Sequence, residues 1–130
     1  MLLLDTHTWW WSLSEPERLS KRALKVIKQV KADQRAIASI SIWEFAMMAN
    51  RKKIELKITA DQWLDYALKK TGLKVVELSP QIALESCNLP GKFHNDPADR
   101  IIVATARIHA LELITKDKKI LDYPHVQAVW

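Results

Sequence analysis

Apolar positions in this chain come as short unbroken runs separated by longer stretches of helical period. Met1-Leu2-Leu3-Leu4 is a run of strand type that stops at Asp5. Thr6 and Thr8 are placed to cap the segment that follows, which carries Trp9, Trp10 and Trp11. Successive helical residues point about 100° apart, so three consecutive tryptophans cannot all face one core; either at least one lies at a partner interface or the three form a fully packed cluster. After a turn at Ser14-Glu15-Pro16-Glu17, the residues Leu19, Ala23, Val26, Ile27 and Val30 recur at helical spacing with lysines opposite. Arg35 to Ser39 reads as a second strand. Ser41-Ile42-Trp43-Glu44 matches a capping box opening a helix to about Asn50, apolar on most sides and suited to burial in the core and in a dimer contact.

The alternation continues. Thr59 or Asp61 starts a helix with Ala60, Trp63, Leu64, Ala67 and Leu68 on one face, and Gly72 stops it. Leu73 to Leu78 is strand-prone, Ser79-Pro80 opens a helix to about Asn88, and Pro90-Gly91 breaks the chain. From Pro97 a helix is predicted to roughly Leu111, with Asp96 as its N-cap and Asp99 at the third helical position. Glu112 to Thr115 is a short strand, Ile120-Leu121 a helical turn, and Val126 to Val129 a last edge strand. Strands alternating with helices imply an α/β fold, a mainly parallel central sheet with helices on both faces. No repeat or long linker divides residues 1–130, so a single domain is expected.

Composition narrows the classes. With 48% hydrophobic residues and only two glycines, neither disorder nor a loop-rich scaffold is expected. The lone Cys87 permits no internal disulfide and no multi-cysteine zinc site, and the histidines lack zinc-motif spacing. The start lacks a basic leader and no run reaches membrane length, so a cytoplasmic protein without a membrane partner is expected. A net charge of +5 favours a polyanionic partner.

The acids then acquire meaning. Asp5 ends the first strand, Glu44 opens the helix after the second, Asp99 opens the late helix, and Asp117 follows the fourth strand. In a parallel sheet all strand-to-helix junctions share the carboxyl edge, where ligands bind at the point of reversed strand order. Each acid alone is explained by capping. Gathered together, they raise one another's pKa unless a cation neutralises them, and Mg²⁺ or Mn²⁺ suits oxygen ligands better than zinc does. Such an ion activates water for attack on a phosphodiester, while a basic periphery holds the polyanion. Asp96 either only caps its helix or also reaches the metal. The basic runs Arg51-Lys52-Lys53 and Lys116 to Lys119 are either phosphate contacts or solvated charge.

Four segments in order resemble a PIN domain of the VapC type, the toxins of prokaryotic toxin–antitoxin pairs. They are Leu3-Leu4-Asp5-Thr6-His7, Ser41-Ile42-Trp43-Glu44-Phe45, His94-Asn95-Asp96-Pro97-Ala98-Asp99-Arg100 with Ile102-Val103-Ala104-Thr105-Ala106, and Leu113-Ile114-Thr115-Lys116-Asp117. The resemblance covers essentially the whole chain. It implies a Mg²⁺-dependent ribonuclease, inhibited by a small antitoxin whose C-terminal segment lies in the active-site groove, and forming homodimers. By position, it makes Asp5 and Asp99 the principal metal ligands and Glu44 and Asp117 the rest of a catalytic acidic pocket, with Asp96 matching a subfamily's additional acid. Arg100 is then a candidate for substrate phosphate or an antitoxin carboxylate. Lys116 and His7 are candidates for contact with RNA, each with an ordinary surface role as its alternative.

Two other readings compete. A haloacid-dehalogenase-like phosphohydrolase also places Asp after its first strand, but needs a second Asp where His7 stands. A catalytically weak RNA- or protein-binding module on the same fold would keep the surface and lose the chemistry.

Overall fold

The computed structural model describes residues 1–130. Five parallel strands form one sheet: β1 (Leu2–Leu4), β2 (Arg35–Ala38), β3 (Lys74–Val76), β4 (Glu112–Ile114) and β5 (Ala128–Val129), in the order β3-β2-β1-β4-β5. The chain builds outward from β1 to β3, then returns to the other side of β1 for β4, so strand order reverses between β1 and β4. Seven α-helices connect and flank the strands: α1 (Thr6–Ser14), α2 (Lys21–Lys28), α3 (Ile40–Asn50), α4 (Ala60–Asp65), α5 (Pro80–Cys87), α6 (Pro97–Ile108) and α7 (Lys118–Leu121).

The three central strands β1, β2 and β4 are buried on both sides, as a parallel sheet between helical layers requires, while the edge strands β3 and β5 are only partly covered. Leu3, Ala36, Ala38 and Leu113 face Ile82, Ile102, Val103 and Ala106 of α5 and α6. Leu2, Leu4, Ile37 and Ile114 face the opposite layer, where Trp9, Trp10, Phe45 and Trp63 meet. Phe45 and Trp63 stack with centroids 4.3 Å apart, and Trp9 and Trp10 approach Trp63 at 4.9 and 5.1 Å. The first two tryptophans of the triplet are therefore core; Trp11 is half-buried, packed against the margin of that layer.

The element order matches the periodicity, but several ends differ. Asp5, not a threonine, caps α1, its side chain accepting from Thr6 N at 2.8 Å. The expected Ser41–Glu44 capping box is absent: α3 begins at Ile40, Ser39 occupies the cap position without a side-chain bond, and both residues lie inside the helix. Their side chains are drawn off by Thr6, a tertiary partner that local sequence does not reveal. The box does form at Thr59 and Gln62, opening α4. That helix passes into a π-turn over Tyr66–Lys70 before Gly72, whose φ of +75° suits the stop predicted there.

The helix from Pro97 ends at Ile108 rather than near Leu111. Leu111 N donates back to Ala106 O at 2.8 Å, and Ala110 takes φ +51°. This is the left-handed closure usually given to glycine, so the sequence carried no visible stop. The strands predicted over residues 73–78 and 126–129 shrink to Lys74–Val76 and Ala128–Val129.

Candidate active site

The reversal point between β1 and β4 positions the site. Asp5 follows β1 and Thr115 follows β4, and the two ends are tied by Asp5 N donating to Ile114 O at 3.0 Å. Thr115 Oγ1 donates to Asp5 Oδ2 at 2.6 Å and accepts from Asp117 N at 3.0 Å. One buried hydroxyl thus aims the first acid and fixes the loop bearing the fourth. Asp117 also caps α7, accepting from Lys119 N at 2.9 Å.

Glu44 is brought in from α3 by Thr6, whose Oγ1 donates to Glu44 Oε1 at 2.5 Å and lies 2.8 Å from Ser41 Oγ. The residue after the first acid therefore orients the second. On the remaining side, Asp96 caps α6 by accepting from Asp99 N at 3.0 Å, which sets Asp99 at the helix start. His94 joins them. Its Nδ1 accepts from Asp96 N at 3.3 Å, and its buried Nε2, without a hydrogen-bond partner, lies 3.1 Å from Asp99 Oδ2. Potential ligand atoms of His94, Asp99 and Asp117 all fall within 4.8 Å of one another.

Electrostatics show that the acids share one field. Burial first, and then the charges of Asp5, Asp96, Asp117 and Glu44, together raise the Asp99 pKa to about 7. Burial likewise raises Asp5, with Asp117 adding to it, while the hydroxyl of Thr115, the Thr6 N–H and the nearby His7 oppose the rise. Glu44 is raised by burial and by Asp5 and Asp96, against its bond from Thr6. Lysine and arginine ion pairs occur elsewhere on the surface, at Glu15, Asp65 and Glu85, and none reaches these acids. A set of partly desolvated carboxylates without a cationic side chain is the donor set that a hard divalent ion fits.

The four principal acids predicted from sequence thus meet, and Asp96 stands close enough to act on two of them. Other expectations need adjusting. Arg100, expected on a phosphate or an antitoxin carboxylate, is committed to the protein: Nε donates to Ser86 O at 2.8 Å, and Nη1 to Phe93 O and His94 O at 3.0 and 3.2 Å. It braces the loop that carries His94 against α5. His7 is exposed and lies against Trp11, centroids 5.5 Å apart, and Lys116 Nζ stands 5.7 Å from the Trp11 ring centre. The sequence reading did not single out Thr6, Thr115 or His94. A Thr directly after the first acid, and another two residues before the last, were the visible signals.

The PIN-domain family matches residues 2–126. This chain belongs to that family. Over 128 residues, 98% of this chain and 95% of the relative, it is 38% identical to "Ribonuclease VapC22" of Mycobacterium tuberculosis (strain ATCC 25618 / H37Rv). Among solved structures it resembles a chain of a "Toxin-antitoxin complex from Klebsiella pneumoniae", with TM-score 0.69 and 27% identity, covering 100% of this chain and 97% of that one. A chain of VapBC2 from Rickettsia felis, solved bound to a promoter DNA fragment, superposes with TM-score 0.70 at 18% identity, covering 98% and 96%; it speaks for the PIN fold alone. The PIN assignment also disfavours the haloacid-dehalogenase alternative, since the matching family spans nearly the whole chain.

Proposed function

We propose that this PIN domain is a divalent-metal-dependent ribonuclease, the toxin of a toxin–antitoxin pair. The observation that carries the reading is the shared pocket of Asp5, Glu44, Asp99 and Asp117, drawn from four separate segments and left without a lysine or arginine partner. The similarity to a ribonuclease of nearly the same length and the likeness to a chain of a toxin–antitoxin complex support RNA as the substrate class and an antitoxin as the partner.

In this reading Asp5 and Asp99 hold Mg²⁺ or Mn²⁺, with Asp117 and Glu44 completing the pocket and Asp96 contributing charge from its cap. A bound divalent ion supplies a water of lowered pKa and neutralises charge on the phosphate. The chain's own residues do the rest. Thr115 and Thr6 hold the carboxylates of Asp5 and Glu44 in one orientation, and His94 stands beside Asp99 with its buried Nε2 unpaired, free to turn toward the pocket. Lysines outside the cup, Lys116 first among them, face the RNA backbone. A small antitoxin that covers this pocket would silence it, and a second copy of the chain is its other partner.

The direct test is cleavage of structured RNA with Mg²⁺, with EDTA, and with the variants Asp5→Asn and Asp99→Asn. The reading expects cleavage that EDTA abolishes and that both variants lose while remaining folded. Cleavage retained by both variants would overturn the site. RNA binding that survives EDTA and yields no products would favour the binding-module alternative. Co-expression with the neighbouring small reading frame should return an inhibited complex.

A further inference from the structure

The tryptophan triplet is only partly used by the core, and Trp11 is the residue left over. It lines a groove of about 1660 Å³ that also takes in His7 and Glu44, so the ring shares an open space with one of the four acids. The two rings beside it are tilted, His7 at 51° and Trp130 at 57°, with centroids 5.5 and 6.0 Å away. Neither lies flat on the indole. What stands over the ring is cationic: Lys116 Nζ at 5.7 Å and the Arg18 guanidinium at 5.8 Å. Both side chains belong to exposed residues on long stems; Lys116 makes no ion pair, and Arg18 has only a surface pair with Glu15 at 3.2 Å to give up for a phosphate. Lys116 lies between Thr115, which binds Asp5, and Asp117, the fourth acid, so its position ties the ring to the acidic pocket.

Resting on the ribonuclease reading, we propose that Trp11 is a positioning residue that stacks a base of the RNA substrate beside the scissile phosphate. Lys116 and Arg18 leave the ring for the flanking phosphates when the base arrives. An aromatic face beside cations is the arrangement that holds single-stranded nucleic acid, since every base offers a π-face and every linkage a negative charge. The triplet then divides by role: Trp9 and Trp10 build the core that holds α1 against the sheet, and Trp11 uses the same helix to present a ring to the substrate.

The test uses the full chain and a fluorescently labelled single-stranded RNA 12-mer, with Ca²⁺ replacing Mg²⁺. A companion series carries one abasic ribose moved along the strand. Trp11→Ala should weaken binding roughly tenfold, the scale at which alanine removes a stacked base, and Trp11→Tyr should restore most of it. At one position the abasic ribose should weaken the wild-type protein by a similar factor and leave Trp11→Ala no weaker than before. Additive losses at every position, or unchanged affinity in Trp11→Ala, overturn the proposal. So does a Trp11→Ala protein that binds RNA normally but no longer retains a co-expressed antitoxin, which assigns the ring to a protein partner. Failure of the wild-type protein to bind or cut any RNA removes the ribonuclease reading itself, and is seen without any variant.

Discussion

Burial and four neighbouring carboxylates make ionised Asp99 costly to the folded chain. Its folded pKa of about 7 stands above the ordinary 3.8, so between those values the folded chain carries more protons than the unfolded one. The stability contributed by this group is complete below the unfolded value and is lost as pH rises through about 7. Asp5 and Glu44 are raised and act in the same direction. Denaturation in EDTA should therefore show stability falling from pH 5 towards pH 8, and Asp99→Asn should flatten that slope. Mg²⁺ should raise the melting temperature of the wild-type protein more at pH 8 than at pH 5, because protons and metal compete for the same oxygens. A wild-type slope that Asp99→Asn leaves unchanged would mean that the acids do not share a field. Thr115 is the complementary case. Thr115→Val keeps the shape but removes the donor to Asp5 and the acceptor for Asp117 N, with an expected loss of about 1–3 kcal/mol and a larger loss of cleavage. Urea titration and an RNA cleavage rate measured together separate the two effects.

At the scale of elements, α6 shows how a helix can be positioned from both ends. Its start is set by Asp96 and Pro97, which place Asp99 in the pocket. Its finish depends on Ala110 at φ +51°, a conformation that strains any residue with a Cβ. Ala110→Gly should stabilise the protein by up to about 1 kcal/mol, the relief of strain being partly offset by the freer unfolded chain. Thermal melting checks the sign, and a destabilised variant would refute it. The opposite face of the sheet offers a contrasting case. Trp9 is fully buried between Phe45 and Trp63, so Trp9→Ala should cost about 3–5 kcal/mol and loosen α1 together with Asp5. Activity should fall with it, although Trp9 touches no reacting group.

At the scale of the molecule, the acidic pocket lies within a chain of net charge +5. RNA association should weaken steeply as salt rises, because phosphate contacts displace counterions. Large apolar side chains also remain at the surface: Trp43 on α3 is 57% exposed and Leu84 on α5 is 68% exposed. If these helices meet a second copy, Trp43→Glu or Leu84→Glu should convert the dimer to monomer in light scattering and leave the melting temperature nearly unchanged. A wild-type protein that is already monomeric at micromolar concentration would exclude that arrangement. No helix is long and apolar enough to cross a membrane.

The sequence by itself determined the order of strands and helices, because burial on both sides of a parallel sheet writes unbroken apolar runs and its helices write a 3.6-residue period. It also determined that Asp5 ends the first strand and that Asp99 opens a helix, since the abrupt end of the apolar run and Asp96-Pro97 are local signals; α6 follows α5 rather than a strand, so its place beside Asp5 came from the packing. Tertiary structure alone decided that Thr6 would take Ser41 and Glu44 away from a capping box, that Thr115 would bind an acid 110 positions distant, and that His94 would lie against Asp99. It decided, too, that Arg100 would brace a loop and that Trp11, alone of its triplet, would stay at the rim. Periodicity reports which face of an element is buried. Which hydroxyl, carbonyl or ring meets a given side chain depends on how the packed layers bring remote segments together.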